Sequence, residues 1–251
     1  KMIQERDWLK YPLQVLSYGG GTQSTAMLLM IANGSLPKPD IVIHADTGSE
    51  LPETIEFIKT AKDFTENELK IPFVIVKSHL GSLHEWYLEN NTIPIIGIRS
   101  CTDKFKIRPQ RRFMRSIVGN RKGKLLAECW LGITTDESRR RSKSNVKWCG
   151  LKYPLLDHKP TSREECITLN ENYGWNVIKS GCHCCPYQGG KTWLELKNNH
   201  PELFQISIEM ENRKRKVRGG SRGLYQEMSL SELSNITLPE SACDSDAGCF
   251  I

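Results

Sequence analysis

Two clusters of residue types carry recognisable chemistry. The first is three consecutive glycines, Gly19, Gly20 and Gly21, in the stretch VLSYGGGTQSTAML (15–28). Glycines weaken any helix or strand they interrupt, so the stretch reads as a tight turn between two elements. A turn that enters a helix presents backbone N–H groups at the positive end of the helix dipole, which suits a phosphate. A purely structural strand-to-helix turn is the alternative on this pattern alone. Thr22 or Ser24 is positioned to cap the helix, and Ser24 and Thr25 add hydroxyl donors. The second cluster is cysteine. Cys182 and Cys185 form a Cys-x2-Cys pair just before Pro186, a spacing that lets two thiolates hold one metal centre. Two more ligands are needed. Cys166, on a helix shortly before the pair, is the chosen addition, with Cys149 in reserve. Cys129, inside an apolar run, reads as a core residue, and the His183 and Cys184 side chains are expected to point away from the centre.

The elements around these residues follow an alternating order. A strand near 13–17, the glycine turn, a helix near 23–33 and a strand within 39–48 come first. A helix over ELPETIEFIKTAKDF, a strand at 72–78 and a strand at 125–133 follow. Strands separated by helices predict an α/β fold with a doubly wound, mostly parallel sheet. Ligands in such sheets collect beyond the carboxyl ends of the strands, where the glycine turn and ADTGSE (45–50) both fall. The remainder predicts a mainly helical, cysteine-rich part, with helices over 162–174 and over 189–216, the latter broken near Pro201. The expected division is a nucleotide-binding core over 1–150, a cysteine-rich lobe over 151–216, and a basic loop with a mobile tail over 217–251.

Composition narrows the partners. The chain has 251 residues, of which 38% are hydrophobic and 25% charged, and no apolar run approaches the roughly 20 residues of a membrane helix. With no apolar core of a signal peptide in KMIQERDWLKYPLQ, the expected setting is the cytoplasm, away from membranes. Nine cysteines, an odd number, then favour metal or sulfur chemistry over disulfides. The net charge of +6 is concentrated in RPQRRFMR (108–115), RRRSKS (139–144) and RKRKVRGGSR (213–222), which suggests an anionic substrate or nucleic acid.

The glycine turn fits neither the Walker pattern nor the dinucleotide fingerprint. GGGTQS (19–24) resembles the PP-loop of the adenine nucleotide α-hydrolase superfamily, Ser-Gly-Gly-x-Asp-Ser, with Gly19 replacing the first serine and Gln23 the aspartate. HADTGSELPET (44–54), CTDKFKIRPQRR (101–112) and SGCHCCPY (180–187) resemble the Asp-Thr-Gly, Cys-x4-Lys-x2-Pro and Cys-x2-Cys elements of its phosphoadenosine phosphosulfate (PAPS) reductase-like branch.

The resemblance implies an ATP site formed by Ser17, Tyr18, Gly19, Gly20, Gly21, Thr22, Gln23, Ser24, Thr25, Asp46, Thr47, Gly48 and Asp136. Asp46 would hold Mg2+ or order the loop. Ser24, Gln23, Asp46 and Arg139 are the implied catalytic residues, and Glu137 is expected to face the same crevice. By analogy with the branch's cysteine pair before Lys-x2-Pro, Cys101 joins Cys166, Cys182 and Cys185 as ligands of a [4Fe-4S] cluster, with Zn2+ as the alternative. The implied activity is ATP pyrophosphatase chemistry that activates an acceptor for sulfur insertion, in DNA phosphorothioate modification. A cysteine desulfurase would supply the sulfur, and DNA or a DNA-modification complex would be the partner. The alternatives are a sulfonucleotide reductase using Cys243 or Cys249, a tRNA sulfur-transfer enzyme, and a nucleic-acid-binding module with a degenerate nucleotide site.

Overall fold

The computed structural model describes residues 7–177 and 180–236. Cys243 and Cys249 lie outside the described residues. The chain divides into two compact units. One holds the chain up to Asp46, Leu51–Val76 and Ile107–Ser180; the other holds Thr47–Glu50, Lys77–Lys106 and the chain from Gly181. This grouping runs differently from a linear division at 150 and 216, because spatial neighbours decide it and residues 77–106 group with the later cysteines.

The first unit is built on a five-stranded parallel sheet: β1 (Leu13–Tyr18), β2 (Ile41–Asp46), β3 (Phe73–Lys77), β4 (Ala127–Trp130) and β5 (Cys149–Lys152), in the order β3-β2-β1-β4-β5. β1 is central, with Val15 opposite Ile41 on one side and Leu16 opposite Trp130 on the other. Both faces are covered, so the central strands read as continuous apolar runs rather than alternating ones. Leu16, Tyr18 and Val42 pack with Met27, Ile31, Ile58 and Cys166, which come from α1 (Thr22–Ala32), α2 (Pro52–Asn67) and α6 (Arg163–Asn172). Val15, Ile41, Ile43, Cys129 and Cys149 pack on the opposite face with Met114 and Val118 of α4 (Arg108–Val118).

Helix α1 starts one residue earlier than a Thr22 cap requires and three earlier than a Ser24 cap requires. Its N-cap is Gly21, whose extended backbone (φ −105°, ψ 175°) opens the helix with no side-chain cap among the described residues. The sequence reading gave no element to α4 or β5. The arginines of α4 lie away from its buried Met114 and Val118, and β5 is only four residues long, CGLK.

The second unit is mainly helical. It contains α3 (Leu83–Glu89), a π-helical turn (Thr102–Ile107, its last residue falling in the first unit), α7 (Gly190–Asn199), α8 (Pro201–Arg218) and α9 (Leu230–Leu233). The expected break at Pro201 is present: His200 leaves the helical region (φ −140°, ψ 65°), as the residue before a proline does at a helix boundary. The buried Glu211 carboxylate accepts from the amides of Leu224 (2.6 Å) and Leu230 (2.9 Å), tying the segment after α8 to that helix. No described helix is long and apolar enough to cross a membrane.

Candidate functional site

In the first unit, the carboxyl end of β1 turns through the glycines into α1. The turn needs Gly20, whose φ of +75° is left-handed and whose added Cβ would sit 3.3 Å from Ile58. Gly21 is needed for space, since a Cβ there would lie 2.7 Å from the Ser180 hydroxyl. The first intrahelical bond runs from the Thr25 amide to the Gly21 carbonyl (3.0 Å), so the amides of Thr22, Gln23 and Ser24 stand ahead of it. No acidic residue occupies the first turn. The result is a convergent set of N–H donors with the polarity a phosphate requires. Two buried polar atoms beside the turn have no partner among the described residues: Thr54 Oγ1 and Asn170 Oδ1. Thr54 flanks Gly20, and the Asn170 amide donates to the Thr22 carbonyl (3.1 Å). Buried polar atoms without protein partners mark a place where water or ligand completes the bonding.

Several expected nucleotide contacts turn out to hold the turn itself. Ser24 Oγ donates to the Gly21 carbonyl (3.1 Å) and accepts from the Gly19 amide (3.3 Å). The Thr25 hydroxyl is fully buried, 3.1 Å from the Tyr18 hydroxyl, and Tyr18 packs edge-on against Phe73. Burial raises the Tyr18 pKa well above its ordinary value. The Ser17 hydroxyl meets the thiol of Cys129 on the neighbouring strand. Asp46 ends β2, half-buried. Asp136 is exposed and accepts from the Arg163 amide (2.7 Å), which makes it an anchor for the start of α6. Glu137 pairs with Arg140 (2.8 Å), and Arg139 is exposed. Gly132, which sequence reasoning missed, follows β4 and comes against the start of α1: a Cβ there would lie 3.1 Å from Gln23 Cβ and 3.2 Å from the Ser24 amide nitrogen. Its signal was a lone glycine at the end of an apolar strand.

In the second unit the cysteines gather. The Cys185 amide donates to the Cys182 carbonyl (3.0 Å), closing the Cys-x2-Cys turn, and Gln188 Nε2 braces it on the carbonyls of Cys182 (3.2 Å) and His183 (2.8 Å). Burial pushes the Cys182 thiol up to about 12; Lys106 opposes the rise, Glu50 adds to it, and the Thr47 hydroxyl, 3.2 Å from the sulfur, lowers it. Cys184 is fully buried and held well above the ordinary thiol range by that burial and by Cys182, Cys185 and Cys101. Its side chain is therefore inside the group, contrary to expectation, and the run of three cysteines in CHCC was the available signal. Lys106, the lysine of the Cys-x4-Lys-x2-Pro element, belongs to the same group. Burial disfavours its charge, but Cys182, Glu50, Cys185 and Cys101 outweigh that cost and raise its pKa. Cys101 precedes the π-helical turn, and such a turn recurs at functional sites because it re-aims side chains within a helix.

The Thr47–Glu50 loop supports this group. The Glu50 carboxylate accepts from the Thr47 amide (3.2 Å) and hydroxyl (2.7 Å), and Glu50 bridges Cys182 through the backbone. Gly48 has a φ of +67°, and a Cβ there would come 2.7 Å from Ser82 Cβ. Thr47 and Gly48 thus serve the sulfur side within this unit. His183 Nδ1 is 3.1 Å from Ser207 Oγ, and its buried Nε2 has no partner among the described residues.

Cys166 lies elsewhere. It is fully buried in the apolar cluster of the first unit, its pKa pushed to about 12 by burial and then by Glu165 and Asp136. An inward-facing position on α6 explains why the helix holds a small apolar thiol there. Cys149 shares the opposite sheet face with Cys129. Among the described residues no three His, Cys, Asp or Glu side chains stand at metal-holding distance. The donor set of Cys101, Cys182, Cys184 and Cys185 beside an ammonium nevertheless fits a thiophilic centre in its chemistry.

The basic runs are largely occupied internally. Arg111 donates to Asn145 (2.7 Å), Arg115 stacks 3.9 Å from the Trp148 ring centroid, Arg141 pairs with Asp157 (2.6 Å), and Arg213 pairs with Glu209 (2.6 Å). Lys214 donates to the Arg222 carbonyl (3.0 Å).

The chain is similar to several known proteins. A curated relative, an uncharacterised protein of Methanocaldococcus jannaschii, is 27% identical over 209 residues, which is 78% of this chain and 47% of the relative. The chain spans about half the length of the curated relative it matches. Among solved structures, the PAPS reductase of Candida auris in its phosphate complex is 11% identical with a TM-score of 0.45, over 68% of this chain and 77% of that one. The U34-tRNA thiolase NcsA of Methanococcus maripaludis, with its [4Fe-4S] cluster, is 18% identical with a TM-score of 0.43, over 95% and 86%. The family model of the phosphoadenosine phosphosulfate reductase domain matches residues 14–156, more than half of the chain, and the chain belongs to that family.

Proposed function

We propose that the protein is a PP-loop ATP pyrophosphatase with a cysteine-held iron–sulfur centre, which activates a nucleic-acid acceptor for sulfur insertion, most specifically the phosphate oxygen of DNA in phosphorothioate modification. The observation that carries this reading is the braced Cys182–Cys185 turn, with Lys106 near enough to Cys101, Cys182 and Cys185 to be raised by their charge, in a chain of this family. The amides of Thr22, Gln23 and Ser24 bind the ATP phosphates, with Asp46 beside them as the carboxylate for Mg2+. An acceptor oxygen displaces pyrophosphate at the α-phosphorus; the terminal sulfur of a cysteine desulfurase persulfide then displaces AMP, and a second thiol cleaves the resulting S–S bond, releasing the thiolated acceptor and leaving a disulfide. Cys101, Cys182 and Cys185 would hold a [4Fe-4S] cluster, or Zn2+ in the structural alternative, and a cluster supplies an iron site at which sulfur can be carried. Cys184, whose charge is coupled to those of Cys101, Cys182 and Cys185, would be the further thiol available to such a group.

A second reading, thiol-dependent reduction of a sulfonucleotide, is favoured by the family match itself. One experiment separates them. After anaerobic purification, iron and acid-labile sulfide are quantified, and ATP is tested for pyrophosphate release in parallel with adenylyl sulfate for sulfite release. Iron, sulfide and pyrophosphate are expected. A colourless protein that releases only sulfite refutes the first reading.

A further inference from the structure

Beside the cysteine group, within the second unit, lies a cavity of about 300 Å³ that no step above uses. Its volume is at the small end of the range for ligand sites, the scale of one nucleotide unit. Trp86, Tyr87, Asn90, Ile98, Ser100 and Arg218 are among its walls. Trp86 is a fixed platform: Lys104 Nζ sits 3.6 Å from its ring centroid, and Tyr87 and Phe105 meet it edge-on. Arg218 is fixed at the rim, its Nε donating to the Asn91 carbonyl (2.9 Å) and its Nη2 to the Asn90 carbonyl (3.0 Å). A guanidinium has five N–H donors, so those remaining are available to an anion. Asn90 Nδ2 is committed to the Trp86 carbonyl (2.7 Å), which leaves its Oδ1 as an acceptor. Ile98 is 65% exposed, an apolar lip. The inner wall reaches the thiols: the Tyr87 hydroxyl is 3.0 Å from Ser100 Oγ and lies close enough to Cys101, Cys184 and Cys182 to feel their charge, and Ser100 immediately precedes Cys101.

A ring platform, a fixed cation and one amide acceptor, set against the sulfur group, match a planar heteroaromatic ring that carries a phosphate. We propose that this cavity holds a single extruded nucleotide of the acceptor nucleic-acid strand, its base against Trp86 and Ile98 and its phosphate at Arg218. The assignment rests on the sulfur-transfer reading of the neighbouring cysteines. An extruded nucleotide is separated from its stacked neighbours, which is how chemistry on one unit of a strand becomes possible.

The test is photo-crosslinking of the full chain to single-stranded DNA and RNA oligonucleotides carrying 5-iodouracil, with the adduct mapped by mass spectrometry. The adduct is expected between Trp86 and Ser100, and whichever strand gives the higher yield identifies the acceptor. Thr92→Trp, which fills the cavity, should lower the yield about ten-fold, the size of one lost base-stacking contact. Should that variant fail to fold by circular dichroism, Ile98→Glu at the exposed lip should lower the yield by charge repulsion. Adducts confined elsewhere, no adduct with either strand, or an undiminished yield in the folded variant overturns the proposal. Cross-linking requires neither ATP turnover nor metal. Adduct formation without pyrophosphate release therefore removes the sulfur-transfer reading and leaves nucleotide binding intact, whereas turnover without the adduct removes the cavity alone.

Discussion

Replacing Gly132 with alanine tests the phosphate-binding turn through a residue that need not touch the nucleotide. The added methyl carbon would lie 3.1 Å from Gln23 Cβ, 3.2 Å from the Ser24 nitrogen and 3.3 Å from the Gln23 carbonyl carbon. Two of these neighbours are backbone of the first turn of α1, which cannot rotate away as a side-chain tip would. Gly132 has no left-handed φ, so alanine meets no dihedral penalty and the effect is steric. Relief requires the start of α1 to move by a few tenths of an ångström, at a cost typical of overpacking, about 1–3 kcal/mol of stability. The same shift misaims the Gln23 and Ser24 amides. A hydrogen bond to a charged group contributes about 1.5–3 kcal/mol, so impairing one of them weakens ATP binding about ten-fold. Titration calorimetry with ATP and urea unfolding measure the two effects separately. Gly189→Ala, whose methyl would meet nothing within 4 Å, is the control. If Gly132→Ala loses stability as expected yet binds ATP as tightly as the parent, the amides of α1 do not hold the phosphates and the nucleotide site is elsewhere.

Other outcomes follow from the same geometry. Cys101→Ala, Cys182→Ala and Cys185→Ala should lose most bound iron, whereas Cys166→Ala, in the apolar core of the first unit, should keep it and lose only about 1–2 kcal/mol of stability; iron analysis and urea unfolding decide. Lys106→Met removes the cation among the thiols and should lower iron content by at least about half. Because partners raise the Lys106 pKa, its contribution to stability is complete below the free-lysine value of 10.5 and disappears only as the pH rises beyond it, so the loss in the variant should be constant from pH 6 to 9. Burial raises Cys129 to about 12 and Cys149 to about 11, so both should resist iodoacetamide at pH 8 unless urea is added. Above the free-thiol value of 9.0 the unfolded chain ionises these thiols first, so stability should fall from there toward about 12 and fall less in Cys129→Ala.

Much of the first unit was legible because its signals are local. An apolar run, three glycines and a helical period specify β1, the turn and α1 without reference to the rest of the chain, and Pro52 marks the start of α2. β5 was not legible because CGLK becomes a strand only by pairing with β4, Ala127 opposite Cys149, which a four-residue period cannot announce. Helix α4 was hidden by its own arginines, which read as surface charge while Met114 and Val118 face the sheet. The roles of Ser24, Thr25 and Asp136 were not legible for a related reason: a polar side chain near a binding turn can meet the ligand or secure the turn, and sequence position does not distinguish the two. Here each of the three has a partner within the protein.

The cysteines show why spacing identifies a pair more readily than a set. A Cys-x2-Cys turn is local, so Cys182 and Cys185 follow from the sequence alone. The remaining members are chosen by tertiary packing, and Cys166 was preferred for being near in sequence and on a helix. Its apolar neighbours argue the other way. A thiol enclosed among Leu16, Met27 and Leu155 substitutes for a small apolar side chain, and nothing there stabilises a thiolate. Around Cys101, Cys182, Cys184 and Cys185 the surroundings are different: a lysine ammonium, on the π-helical turn, and a threonine hydroxyl contribute from separate segments of the second unit. What distinguishes this group is a neighbouring cation: Lys106 opposes the rise that burial imposes on Cys182, although that thiol still stands at about 12, whereas the charges acting on Cys166 are the carboxylates of Glu165 and Asp136. The lysine in Cys-x4-Lys-x2-Pro was therefore the stronger clue to the sulfur site than any additional cysteine.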